Sequence, residues 1–105
     1  MDVAVTQATS ATTAVTANGA SGEITTFNET LATLTSLVFT VNNNSVDADS
    51  VVLIGIVNYS GVWITNGVPL VVVNNRVAGT SFDIRISNIG ANALNGVLKI
   101  VFKLE

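Results

Sequence analysis

The most regular pattern along the chain is an alternation of apolar and polar residues with the two-residue period of a β-strand. Phe82, Ile84 and Ile86 alternate with polar neighbours in residues 81–87, and residues 97–104 show the same alternation. Because successive side chains of a strand point to opposite faces, each segment predicts a strand with one buried face. Shorter alternating or wholly apolar runs predict further strands at residues 12–17, 22–27, 37–41, 50–58, 61–65 and 68–77.

Turn signals separate these runs. The dipeptide Asn-Gly, which suits the type I′ turns of hairpins, occurs at residues 18–19, 66–67 and 95–96. Residues 28–35 predict a loop or a single helical turn. Short strands spaced by about a dozen residues are typical of all-β sandwiches and jelly rolls. We therefore predict a single-domain antiparallel β-sandwich, jelly-roll-like, in residues 18–105, preceded by a partly flexible N-terminal segment in residues 1–17.

One predicted strand, residues 50–58, is apolar on both faces. Val51, Leu53 and Val57 lie on one face, and the other face holds the intervening apolar residues. In a two-layer sandwich only one face of a strand meets the core, so the second needs a cover, either the N-terminal segment or a neighbouring subunit. We assign Leu53 to a core of Ile24, Phe39, Val41, Leu53, Phe82, Ile84, Ile86, Leu98, Ile100 and Phe102. The predicted oligomer interface comprises Val52, Ile54, Ile56 and Trp63.

Composition favours a partner for the second face. The chain is 49% hydrophobic and only 10% charged, with a mean hydropathy of +0.58. Few charges leave a surface with weak protection against self-association. We therefore expect a homo-oligomer; the alternative is a fully buried core beneath a surface of Thr and Asn.

Two classes of partner are not expected. Four basic residues in a chain of net charge −3 cannot form the dense basic patch that nucleic acid requires. The apolar runs fall far short of the roughly 18 residues that span a bilayer, and the N-terminus lacks the basic start and hydrophobic stretch of an export signal. We expect no nucleic-acid partner and no membrane partner.

Candidate chemistry is sparse. The chain contains no cysteine and no histidine, which removes disulfides, thiolate metal sites and the commonest general base. We expect no enzyme activity, no catalytic residue and no cofactor. Asp47 and Asp49 are weak candidates for a Ca²⁺ site, although the third acid and the glycine of a calcium-binding loop are missing. The alternative is a polar turn in which these residues support their own backbone.

An aromatic pair offers a second candidate site. Tyr59 and Trp63 flank the turn at residues 60–61, and exposed aromatic side chains there could contact a sugar or a protein. The alternative is that Trp63 packs in the core or in an oligomer interface.

Several segments of the chain resemble small virion proteins of tailed bacteriophages. The resemblance covers most of the chain and is carried by VTQATSATTAVT (5–16), GEIT (22–25), FTVNN (39–43), VDADSVV (46–52), GTSFDI (79–84), SNIG (87–90) and IVFK (100–103). In similar phage proteins a Cys often precedes the glycine at position 22, whereas this chain has Ser21.

The resemblance implies a structural role in the virion. We expect a capsid decoration (cement) protein that sits on the capsid surface as a homotrimer, binds between capsomers and contacts the major capsid protein or another virion protein. The chain starts at Met1 with no fibrous stalk, which favours this role over a receptor-binding or tip domain of a tail fibre. A weaker alternative, suggested by Tyr59 and Trp63, is a carbohydrate-binding module.

Overall fold

Two four-stranded sheets pack face to face as a β-sandwich in the computed structural model, which describes residues 3–28 and 30–105. No helix occurs in these residues, so the predicted all-β class is confirmed. The strands are β1 (Ala4–Thr6), β2 (Val15–Thr16), β3 (Ser21–Thr25), β4 (Ser36–Asn42), β5 (Val52–Tyr59), β6 (Pro69–Val77), β7 (Ser81–Asn88) and β8 (Leu98–Leu104).

The two sheets are mixed rather than purely antiparallel, which corrects the sequence-based expectation. Sheet A has the order β1-β3-β8-β5 and sheet B the order β2-β4-β7-β6. β1 pairs with β3 and β2 pairs with β4 in parallel, while every other pairing is antiparallel. From β1 the chain crosses to sheet B for β2 and then returns to sheet A for β3. These two crossings let β3 run in the same direction as β1.

The predicted Asn-Gly hairpins are wrong, because each of these dipeptides connects strands that belong to different sheets. Gly19 and Gly67 do adopt positive φ angles, 109° and 85°. Among the described residues, β6 and β7 are the consecutive strands that are also neighbours in a sheet, and a tight hairpin joins them. Its turn contains Gly79 at φ 69°. Asn-Gly therefore reports a local backbone preference, which carries no information about the sheet that the next strand joins.

Two other loop expectations have different outcomes. The described part of residues 28–35 is a loop, as predicted, held by a bridge between Leu31 and Leu94; Glu29 lies outside the described residues. Residues 61–65 were predicted to form a strand, and this is wrong. Only an isolated bridge between Ile64 and Gly67 forms there.

The core lies between the sheets and matches the prediction except at one residue. Phe82 and Phe102 meet across the layers with ring centroids 5.3 Å apart at 64°. Leu53 was predicted to be buried, but its side chain is 49% exposed. The confirmed core residues are Ile24, Phe39, Val41, Phe82, Ile84, Ile86, Leu98, Ile100 and Phe102.

The faces of β5 are therefore the reverse of the prediction. Ile54 pairs with Phe102 and Leu53 pairs with Lys103 in the β5–β8 ladder. Directly opposite residues of an antiparallel pair share a face, so Ile54 points inward with Phe102 and Leu53 points outward with Lys103. The residues predicted to form the interface, Val52, Ile54 and Ile56, are half-buried and pack against the core.

The N-terminal segment docks on the sandwich through a buried glutamine. Gln7 is 3% exposed. Its Nε2 donates to the carbonyls of Ala11 (2.9 Å) and Thr13 (3.0 Å), and its Oε1 accepts from the N–H of Phe27 (3.0 Å). The partial flexibility of residues 1–17 stays a prediction, and residues 1 and 2 lie outside the described residues.

Candidate functional site

A buried asparagine at the end of β7 organises one end of the sandwich. Asn88 is 1% exposed. Its Nδ2 donates to the carbonyls of Leu31 (3.1 Å) and Asn92 (2.8 Å), and its Oδ1 accepts from the N–H groups of Val68 (3.2 Å) and Gly90 (3.0 Å). One side chain thus connects the loops at residues 26–35, 60–68 and 89–97. Each loop contributes backbone N–H or carbonyl groups that are not hydrogen-bonded within a strand.

A second asparagine does the same at the opposite end. Asn43, also 1% exposed, follows β4. Its Nδ2 donates to the carbonyls of Ala17 (2.7 Å) and Gly19 (2.9 Å), and its Oδ1 accepts from the N–H groups of Ser45 (2.7 Å) and Val46 (2.9 Å). The two ends therefore share a structural device, but they differ in the side chains that they expose.

The loops at the end organised by Asn88 expose five large apolar side chains. We call this set the apolar tip, and its members are Leu34 (82% exposed), Val62 (61%), Trp63 (51%), Ile64 (69%) and Ile89 (56%). They lie on the same three loops that Asn88 connects. Sequence analysis singled out Trp63 alone among them, because exposure of an apolar loop residue is not encoded in any local pattern.

Two residues of the tip have an unusual backbone. Leu34 has φ 58° and Ile64 has φ 75°. Bulky residues rarely adopt the left-handed region, and a β-branched residue there is a clear outlier. Such strain persists only where the surrounding structure holds it in place, and it often marks functional positions.

The predicted aromatic pair is only half exposed. Tyr59 is 8% exposed, and its hydroxyl donates to the carbonyl of Asn66 (2.5 Å). Trp63 packs edge-on against it, with ring centroids 5.2 Å apart at 75°. Tyr59 is therefore a core residue that supports Trp63, and Trp63 is the one member of the pair that is available to a ligand.

A second exposed apolar surface lies on β5 and the residue before it, at the edge of sheet A. We call it the outer β5 face, formed by Val51 (53% exposed), which precedes the strand, and by Leu53 (49%) and Val57 (58%). A shallow groove of about 440 Å³ runs beside Leu53 over Gly55 and Val101. A Cβ atom added at Gly55 would contact nothing within 4 Å, so the groove is open there.

The predicted acidic candidates form a turn. The Oδ1 of Asp47 accepts from the N–H of Asp49 (2.9 Å) and from the hydroxyl of Ser50 (3.2 Å). This geometry is that of a polar turn which supports its own backbone. Among the described residues there is no cluster of three or more acidic, His or Cys side chains that could hold a metal ion.

The described residues of the three loops at the tip carry no charged side chain. Loops 60–68 and 89–97 and residues 30–35 contain no charged residue. On the outer surface of sheet A, Lys99 lies 3.9 Å from Glu23 and Lys103 lies 3.3 Å from Glu105. Both are exposed or half-exposed pairs, which contribute little to stability.

Comparisons of the chain with protein-family models, with curated proteins and with solved structures find no match. In the described residues there is no helix of the length and hydropathy needed to cross a bilayer. The apolar tip and the outer β5 face are therefore the features that bear on function, and β6 exposes further apolar side chains at Leu70, Val72 and Val77.

Proposed function

We propose that this chain is a non-enzymatic structural protein of a bacteriophage virion, a capsid decoration (cement) protein that binds between capsomers on the capsid surface. It acts as a homotrimer and contacts the major capsid protein or another virion protein. The jelly-roll-like arrangement belongs to this proposal as the finer description of the sandwich. The sequence resemblance to small phage virion proteins supports the assignment.

The observation that carries the proposal is the outer β5 face. Leu53 and Val57 are about half exposed in a strand that contains no charged residue. An open, apolar edge strand invites association with another chain unless charges protect it. Interfaces of permanent oligomers are apolar in the same way. We therefore place the subunit contact on the outward residues of β5, and no longer on Val52, Ile54 and Ile56.

The mass of the protein in solution tests the subunit contact. Light scattering should give about 32 kDa, three times the chain mass of 10.8 kDa. Leu53→Lys should lower this mass to that of a monomer without unfolding the domain, because the side chain does not enter the core. Leu70→Lys is the matched control, since Leu70 is 47% exposed on β6 of the other sheet. If the wild type is a monomer, or if both variants lower the mass in solution equally, the proposed subunit contact is wrong.

The location of the protein in the intact particle tests the role. Electron cryo-microscopy should show the sandwich on the outside of the head, between capsomers. Density at the tail would instead support the alternative of a receptor-binding or tip domain of a tail fibre. The exposed Trp63 at one end of the domain favours that alternative, because recognition domains concentrate aromatic side chains at their contact surface.

A further inference from the structure

We propose that the apolar tip, formed by Leu34, Val62, Trp63, Ile64 and Ile89, inserts into the surface of a lipid bilayer. The inference goes beyond the proposed function and does not rest on it. It also differs from the sequence-based expectation of no membrane partner, which considered only segments long enough to span a bilayer. Shallow insertion of about 5–10 Å requires an apolar surface and no spanning segment.

Part of the backbone of the central loop is hydrogen-bonded within the protein, at Val62, Ile64 and Asn66. The N–H of Val62 donates to Oδ1 of Asn66 (3.0 Å), and the N–H of Asn66 donates to the carbonyl of Val62 (2.7 Å). The N–H of Ile64 donates to the carbonyl of Gly67 (3.1 Å). The carbonyl of Ile64 accepts from the N–H of Gly67 (3.3 Å) and from Nδ2 of Asn92 (2.9 Å). Lipid offers no hydrogen bonds, so the bonded groups of Val62, Ile64 and Asn66 can leave water at a lower cost than unpaired groups would.

The distribution of charge points to lipid as well. Loops 60–68 and 89–97 and residues 30–35 are free of charged residues, and Lys99, which follows the second loop, lies 3.9 Å from Glu23 on the outer surface of sheet A. Asp47, Asp49 and Glu105 lie at the opposite end of the sandwich. A charged side chain near the tip would have to be dehydrated on insertion, at a large cost. Tryptophan is the residue type enriched where a membrane meets water, and Trp63 is half exposed between Val62 and Ile64.

The shape of the tip favours lipid over a sugar or a second copy of this chain. Its most exposed members, Leu34 and Ile64, are 82% and 69% exposed, more than Leu53 and Val57 on the outer β5 face. Side chains that project from loops enter a fluid surface readily, while the flatter β5 face suits another protein. A sugar site needs polar groups around its aromatic ring, and the residues on either side of Trp63 in the chain are the aliphatic Val62 and Ile64.

The test uses Trp63 as its own probe, because it is the only tryptophan. Vesicles of phosphatidylcholine alone are titrated into the full chain while tryptophan emission is recorded. Insertion shifts the emission to shorter wavelength and allows lipids brominated in the acyl chains to quench it. Since the tip is uncharged, raising the salt concentration about tenfold should leave the binding unchanged within about twofold. Absence of a shift at millimolar lipid overturns the proposal.

Ile64→Asn separates lipid binding from folding. Asparagine tolerates positive φ better than isoleucine, so this variant should melt at the same or a higher temperature than the wild type. Its vesicle affinity should fall at least about tenfold, because one apolar side chain no longer leaves water. Val62→Asn is a second variant with the same expected loss. Wild-type affinity in both variants would show that the tip is not the inserted surface.

Val77→Asn is the matched control, since Val77 is 48% exposed but lies at the far end of β6, away from the apolar tip and outside the outer β5 face. Its vesicle affinity should equal that of the wild type. An equal loss in Val77→Asn and Ile64→Asn would indicate non-specific adsorption and overturn the proposal. If Ile64→Asn instead lowered the mass in solution, a second copy of the chain would be the occupant of the tip, and the lipid assignment would be wrong.

Discussion

Replacement of Asn88 by alanine should destabilise the protein strongly although the side chain is polar. The substitution removes hydrogen bonds to four residues: it deprives the carbonyls of Leu31 and Asn92 of a donor, and the N–H groups of Val68 and Gly90 of an acceptor. Each such bond contributes about 0.5–1.5 kcal/mol net, which gives about 2–6 kcal/mol for the group. We expect about 3 kcal/mol, because these part-buried groups regain some hydration.

Urea unfolding followed by far-ultraviolet circular dichroism measures this change. A protein of this size loses about 1–3 kcal/mol of stability per molar urea, so the midpoint should fall by about 1–3 M. Asn74→Ala is the matched control, since Asn74 is exposed on β6 and its replacement should cost less than about 0.5 kcal/mol. Asn88→Asp keeps the acceptor and loses both donors, so its stability should also fall. Stability of Asn88→Ala within about 0.5 kcal/mol of the wild type would refute the role assigned to this side chain.

Three further outcomes are expected. Phe82→Ala should cost about 3–5 kcal/mol, because the ring is fully buried against Phe102; a melting temperature within a degree or two of the wild type, measured by calorimetry, would contradict the core assignment. Gly79→Ala should cost about 1–2 kcal/mol in urea unfolding, through its positive φ alone, since a Cβ there meets no atom within 4 Å. Elemental analysis after chelator treatment should find no stoichiometric metal. Retained Ca²⁺ would contradict this prediction and would favour a calcium site at Asp47 and Asp49.

The two candidate surfaces differ in how many of their residues can be predicted from the sequence. The two-sided apolar character of residues 50–58 is visible in the sequence and predicted an uncovered face. Trp63 was identified because, together with Tyr59, it flanks the turn at residues 60–61. Leu34 and Ile89 were not identified, since a lone apolar residue in a loop is more often buried than exposed. Only the packing of the loops around Asn88 brings these two side chains to the same end of the sandwich as Trp63.

The sequence alone determined the all-β class, the positions of the main strands and the inward faces of β7 and β8. In β7, Phe82, Ile84 and Ile86 alternate with polar residues, so only one orientation buries the apolar side chains. The sequence of a strand with one apolar and one polar face determines which face is buried, because exposing the apolar face or burying the polar one would cost free energy.

The tertiary structure decided the orientation of β5, the parallel pairings of β1 with β3 and of β2 with β4, and the sheet to which each strand belongs. Both faces of β5 are apolar, so hydrophobicity does not distinguish them, and the register against β8 selects Ile54 rather than Leu53 for the core. These outcomes depend on contacts between residues far apart in the chain, such as Ile54 with Phe102. Local periodicity and turn dipeptides report only on near neighbours, and they carry no information about such pairings.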